Sequence, residues 1–248
     1  MTSPAIDVAP RWIRDLTRLT SIRSQFAPVH PEGYPFVAGF AIASAVLFWL
    51  WSPAGWLGVF ATLWCAYFFR DPQRVTSIYP GVVVSPADGR VVAVTTTVPP
   101  PDLGLGSAPL VRISIFMSVF DCHVNRSPVT GRVERIVYHE GLFLNASLDK
   151  ASDDNERNSL VIGTPEGNRV ALVQVAGLIA RRIVRFVNEG QALGAGQRVG
   201  MIRFGSRADV YLPAGTVSLV GEGQTAIAGE TVLAELLGHQ LGASYRVS

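Results

Sequence analysis

The chain has 248 residues and a formal net charge of +2, enough for one large domain, or one domain with an appendage, around a genuine core. Of its 21 basic residues all but Lys150 are arginine. That scarcity weighs against pyridoxal-phosphate enzymes and against biotin or lipoyl carriers, which need a well-placed lysine.

Lys150 lies in the polar stretch Leu148-Asp149-Lys150-Ala151-Ser152-Asp153, which reads as an exposed loop. Cys65 and Cys122 have no CxxC spacing and make no disulfide framework, so a reducing compartment is expected. His30, His123, His139 and His239 are scattered, with no HxxxH or HExxH pattern, and no metal site is expected. Nothing in the charge pattern calls for nucleic acid.

Residues 1–35 carry Arg11, Arg14, Arg18 and Arg23 among apolar residues, and part of this stretch reads as an amphipathic helix. From Phe36 to Phe69 no residue is charged, and Trp49, Trp51, Trp56 and Trp64 lie in the run. A spanning helix needs about 20 apolar residues, so the run is too long for one and short for two. Ser52-Pro53 and Gly55 divide it, which predicts a helical hairpin that dips into one leaflet or spans it tightly. Arg18 and Arg23 before it, with Arg70 and Arg74 after it, place both flanks on the cytoplasmic side. Ala41-Ile42-Ala43-Ser44-Ala45 resembles a signal-peptidase site but lies inside the apolar run, so a cleaved signal is rejected. The competing reading is a buried hairpin in a soluble core.

Beyond Pro80 the pattern changes. Val82–Val84, Arg90–Val94, Val111–Phe116 and Ala171–Val175 are short, β-branched and punctuated by Gly, Pro and Asp, the pattern of a compact β domain. The expected class is mainly β (α+β): a sandwich- or barrel-like catalytic domain over 76–248, behind a membrane-associating helical region over 1–75.

Three segments carry candidate chemistry. Ser85-Pro86-Ala87-Asp88-Gly89-Arg90 is, taken alone, a turn whose Asp caps it. Phe116–Pro128 places Asp121, Cys122, His123, Asn125 and Arg126 directly after an apolar strand. There His123 titrates near neutral pH, and Arg126 has the fork that grips carboxylate or phosphate. Gly200–Val210 holds Gly205-Ser206, by itself an ordinary turn dipeptide.

Together and in this order they resemble the phosphatidylserine decarboxylase family, in its short single-domain type. The resemblance takes in Phe68-Phe69-Arg70-Asp71-Pro72-Gln73-Arg74, Pro86-Ala87-Asp88-Gly89 and His123-Val124-Asn125-Arg126-Ser127-Pro128. It continues through Ala151–Asn158, Gln174-Val175-Ala176-Gly177 and Phe204-Gly205-Ser206. It implies self-cleavage between Gly205 and Ser206 into chains 1–205 and 206–248 that stay together as a heterodimer. Ser206 would become a covalent pyruvoyl cofactor whose carbonyl takes the place of pyridoxal, acting on phosphatidylserine at an anionic membrane surface. Asp88 and His123 are implied as the pair that assists Ser206. Longer relatives have a second histidine where this chain has Arg126, so the base for cleavage and the proton donor for decarboxylation stay unassigned. Arg126 is open between holding substrate and a structural ion pair, Asn155-Glu156-Arg157-Asn158 has no assigned role, and association into a homo-oligomer stays open. Arg181, Arg182 and Arg185 would face anionic lipid or bulk water.

Three alternatives are weighed beside this reading. An archaeal-type serine lipid presents the same head group. A free amino acid gives no reason for an apolar hairpin. A non-enzymatic adaptor with a lipoyl-like β domain over Leu212–Leu233 lacks the carrier lysine and the coiled-coil hairpin that such proteins use.

Overall fold

The computed structural model describes residues 27–141, 155–177, 182–203 and 206–236, and the backbone of 244–247. The chain divides into two compact units, Met1–Gln73 and Arg74–Ser248. Phe204, Gly205, Arg181, Lys150 and the N-terminal arginines lie outside the described residues.

In the first unit, helix α1 (Tyr34–Leu50) and helix α2 (Ser52–Phe68) form an antiparallel pair joined at Trp51. Pro53 sits in the first turn of α2, where its missing N–H costs nothing. The packing is inverted relative to a soluble hairpin. Between the helices lie Ser44 and Thr62, whose hydroxyls are 3.1 Å apart, and Gly58, where an added Cβ would come within 3.0 Å of the Ser44 backbone. On the outside Ile42, Leu57, Phe60 and Leu63 are about two-thirds exposed and Trp49 is 85 % exposed. Small and hydroxyl residues between helices, with large apolar residues outside, is how helices pack in lipid. Pro31–Leu50 is long and apolar enough to cross a bilayer.

Among the described residues the second unit holds fifteen strands in chain order. The first eight are β1 (Val75–Ile78), β2 (Val82–Val84), β3 (Gly89–Thr97), β4 (Leu110–Met117), β5 (Val124–Arg126), β6 (Gly131–His139), β7 (Arg157–Gly163) and β8 (Arg169–Ala176). The others are β9 (Ile183–Arg185), β10 (Ala192–Leu193), β11 (Arg198–Ile202), β12 (Ser206–Leu212), β13 (Thr225–Ala226), β14 (Val232–Glu235) and β15 (Ser244–Val247). An eight-stranded antiparallel sheet runs β10-β6-β7-β8-β12-β4-β3-β13 and curls into a half-barrel. A three-stranded sheet runs β5-β11-β9, and β14-β2 and β1-β15 form two small ladders. The mainly β class read from the short β-branched runs is the class observed.

One face of the sheet buries the main core. Ile113, Ile115, Leu160, Leu172, Ala208 and Val210 are each fully buried there, because alternate residues of a strand point to the same side. Strand β12 is buried along its whole length, so its odd-numbered residues Arg207, Asp209 and Tyr211 occupy the opposite face, also out of water.

Gly89 begins β3 with φ of +153°, and a Cβ there would run into the Phe116 carbonyl of the neighbouring strand. Both the backbone region and the contact exclude a side chain. Gly89→Ala is expected to cost about 3 kcal/mol, from strain and overpacking together, read as a lowered midpoint in chemical denaturation.

Candidate active site

Ser206 is the first residue of β12, fully buried, and in register with Met117 of β4 on one side and Ala176 of β8 on the other. Its Oγ lies 3.8 Å from Met117 Sδ. The preceding strand β11 ends at Ile202 and is held by β5 and β9. The short link between them therefore joins two independently anchored strands.

His123 lies just before β5 and is fully buried. Its backbone carbonyl accepts from Ile202 N at 3.2 Å, which fastens it to the strand that leads into Ser206. Its Nδ1 sits 3.0 Å from the Asp121 carbonyl. A carbonyl can only accept, so Nδ1 carries the proton of the neutral ring and Nε2 keeps the lone pair of a base.

Asp88 ends the Ser85–Asp88 turn. Its Oδ2 is 2.6 Å from Arg74 Nη2 and its Oδ1 accepts from Ala228 N at 2.8 Å. The turn is tied to β5, since the Pro86 carbonyl accepts from Arg126 N at 2.8 Å. Met117, which touches Ser206, also receives a contact from Asn125 of β5. All three segments singled out in the sequence thus meet around the end of β4.

Arg126 is buried, its Nη1 donates to the Gly196 carbonyl at 2.8 Å, and its Cδ packs beside Gly229. Those contacts hold two turns together, as a structural arginine does. Of the arginines read as facing lipid or water, Arg182 and Arg185 are exposed.

The motif left without a role now has one at each position. Asn155 Nδ2 donates to the Ala176 carbonyl at 2.7 Å, and the Glu156 carbonyl accepts from Ala176 N at 2.9 Å. Both bonds fix the residue paired with Ser206. Glu156 Oε1 accepts from the Tyr138 hydroxyl (2.8 Å) and from Ile183 N (3.1 Å). Arg157 reaches Asp102 Oδ2 at 3.8 Å, where His139 Nε2 also lies at 2.7 Å. Asn158 Nδ2 donates to Gln174 Oε1, and Gln174 Nε2 donates to Asn125 Oδ1, each at 2.8 Å. Sequence reasoning missed this amide series because its members come from three strands; the one available signal was an amide in each of three motifs.

The Tyr138 ring is half-exposed but its hydroxyl abuts buried Glu156. Desolvation first, then the hydrogen bond to Glu156 and its charge, push the phenol up to about 12. A raised acid pKa stabilises the fold below the unfolded value of about 10 and is lost as pH rises toward the folded one. Stability is expected to fall between those limits, and Tyr138→Phe to flatten that fall in denaturation midpoints measured across the window.

The family model for phosphatidylserine decarboxylase matches residues 61–234. A relative from Nitrobacter winogradskyi, a "Phosphatidylserine decarboxylase proenzyme", is 65 % identical over 215 residues, which is 87 % of each chain. The match spans the Asp88, His123 and Ser206 segments, and the chain belongs to the phosphatidylserine decarboxylase family.

Proposed function

We propose that this chain is a precursor that cuts itself between Gly205 and Ser206 and then decarboxylates phosphatidylserine to phosphatidylethanolamine. The observation that carries the reading is the placement of Ser206: a buried hydroxyl at the start of a strand pinned on both sides, next to strand β11, which is bonded to His123.

In the first step the Ser206 Oγ–H attacks the Gly205 carbonyl carbon. His123 Nε2 takes the hydroxyl proton, and the acyl group passes from the Ser206 nitrogen to its oxygen, with that proton returned to the nitrogen. Loss of the Cα proton then expels the Gly205 carboxylate together with the serine oxygen. Water enters at Cα and ammonia leaves, which completes a pyruvoyl group at position 206. The Asp88 carboxylate, fixed by Arg74 and the Ala228 amide, is the second member of the pair that the family pattern assigns to assist Ser206.

Residue 206 fits that group, since it is shielded from water and its neighbours Ala176 and Met117 are held by their own bonds. The pyruvoyl group supplies an electrophilic carbonyl that bonds the substrate amine and accepts the electron pair left by departing CO₂. His123, whose Nδ1 orientation is set by Asp121, is the proposed donor of the proton to the carbon that lost CO₂.

The hairpin supports a lipid substrate and a seat in the cell membrane with both flanks cytoplasmic. Its large apolar residues face outward and its small ones inward, and the serine head group would be drawn from the anionic surface.

Intact-mass analysis of purified protein tests the reading. Two chains are expected, 1–205 and 206–248, with the second beginning in a pyruvoyl group. That preparation is expected to release CO₂ from phosphatidylserine in detergent micelles and not from free serine. A chain that stays whole, or cleaved protein inert toward the lipid, would overturn it.

A further inference from the structure

Two exposed apolar side chains stand at the rim of the sheet that holds residue 206. Strand β4 ends at that rim with Met117 and β8 with Ala176, both paired with Ser206 at the start of β12. Strand β3 begins there with Gly89, which pairs with Ala226 at the end of β13. Phe120 follows soon after Met117 and is 63 % exposed, and Ile227 follows directly on Ala226 and is 38 % exposed. Single apolar residues are common on any protein surface, so exposure alone assigns these two nothing. Their mounting and their place do.

Each sits on a turn closed by its own hydrogen bonds. Ser118 N donates to Asp121 Oδ2 at 2.7 Å and Asp121 N to the Ser118 carbonyl at 3.0 Å, which fixes the turn that carries Phe120. The Ile227 carbonyl accepts from Glu230 N at 3.1 Å and from Thr231 N at 3.0 Å, and Ile227 N donates to Thr231 Oγ1 at 2.9 Å. A side chain on a turn already ordered costs little further entropy when it enters another phase. Both turns also serve the candidate site, since the Asp121 carbonyl orients His123 and the Ala228 amide holds Asp88.

The chain enters the second unit at this same rim. Helix α2 ends at Phe68, and Arg74 already grips Asp88 at 2.6 Å. The link from 68 to 74 reaches about 20 Å at full extension. A hairpin seated in lipid therefore leaves the rim on a short tether to the bilayer surface. Exposed Arg90, one residue along β3 from Gly89, adds positive charge that suits an anionic surface.

We propose that Phe120 and Ile227 form a second membrane contact, separate from the hairpin: they enter the interface of an anionic lipid bilayer and hold the rim of residue 206 against it. The inference rests on the membrane seat proposed above. Apolar side chains at such a surface lie about 5–10 Å into the boundary between head groups and acyl chains.

Spin labelling of the full chain in vesicles of phosphatidylcholine and phosphatidylserine tests the contact. Cys65 and Cys122 are buried, so a nitroxide reagent takes the new thiol of Phe120→Cys, Ile227→Cys or Val217→Cys, made one at a time. Val217 is the control. It is 74 % exposed, more than either of the others, but it lies beyond Leu212, where β12 ends at the opposite rim. Collisions of each label with oxygen, which concentrates in lipid, are compared with collisions with a water-soluble nickel chelate. Labels at 120 and 227 are expected to shift toward oxygen relative to the label at 217. Labels at 120 and 227 as open to nickel as the one at 217 would overturn the proposal, as would an equal shift at all three. If one labelled turn fails to fold, the other decides alone. Protein that stays off the vesicles would overturn the membrane seat of the hairpin and this contact with it. Intact mass and CO₂ release are scored on the same preparations, so a chain that docks without processing would overturn the self-cleavage reading alone.

Discussion

Ser206→Ala is expected to leave a single 26.7 kDa chain that is folded, uncleaved and without decarboxylase activity. In the proposed reaction the hydroxyl is the nucleophile and then leaves with the Gly205 carboxylate, which frees Cα to become the carbonyl carbon, so nothing else in the chain can substitute for it. The fold is expected to survive because the side chain contributes little to it. Its described contact is a 3.8 Å approach to Met117 Sδ, a weak interaction, and both ladders of β12 are backbone bonds. The stability change is expected to stay below about 1 kcal/mol, the net worth of one ordinary hydrogen bond. Intact mass and circular dichroism read the two halves of the prediction separately. Ser206→Thr refines it: the hydroxyl remains, so slow cleavage is expected, and the new chain should be heavier by one CH₂. Cleavage of Ser206→Ala at the same bond would refute the assignment of the nucleophile.

Much of the architecture was readable from residues near one another in the chain. The charge-free run split by Ser52-Pro53 became two helices joined at Trp51, because proline both ends one helix and starts the next well. The runs at Val82–Val84 and Val111–Phe116 lie within β2 and β4, since β-branched residues and period-two burial are local signals. What was not readable was which strands pair. That β12 lies between β4 and β8, with four strands on one side and three on the other, depends on contacts between residues far apart in sequence. The same holds within the site. Ser206, His123 and Asp88 stood out through a family pattern, yet Gln174 and Asn158 look like ordinary strand polars until the sheet lays them side by side. Arg126 looked equally suited to a ligand, and its burial beside Gly196 and Gly229 could be seen only in the fold.

Arg207→Leu is expected to destabilise the domain by about 3–5 kcal/mol, the usual effect of stranding one member of a buried ion pair. Arg207 Nε and Nη2 meet Asp209 Oδ1 and Oδ2 at 2.9 and 3.0 Å, and both side chains are at most 2 % exposed. The leucine would fill space as well as the arginine stem does, so the loss would come from the Asp209 carboxylate left in a medium that solvates it poorly. Denaturation is best measured in the Ser206→Ala background, where the chain is whole and unfolding is not complicated by separation of two pieces. In the processed protein the same substitution is expected to do more. After a cut at Gly205, residues 206–248 are retained by noncovalent contacts alone, and β12 is their central attachment, seven residues against β4 and six against β8. The Arg207–Asp209 pair lies within the first four residues behind the new chain end, where the strand has just lost its covalent tether. Weakening that end is expected to make the short chain dissociate on dilution, detected by size-exclusion chromatography as loss of the 206–248 fragment from the long chain. Wild type is expected to keep the two together until the sheet unfolds. The strand that would begin at the new chain end is buried along its whole length, and that burial would keep residue 206 in register once the peptide bond before it is gone.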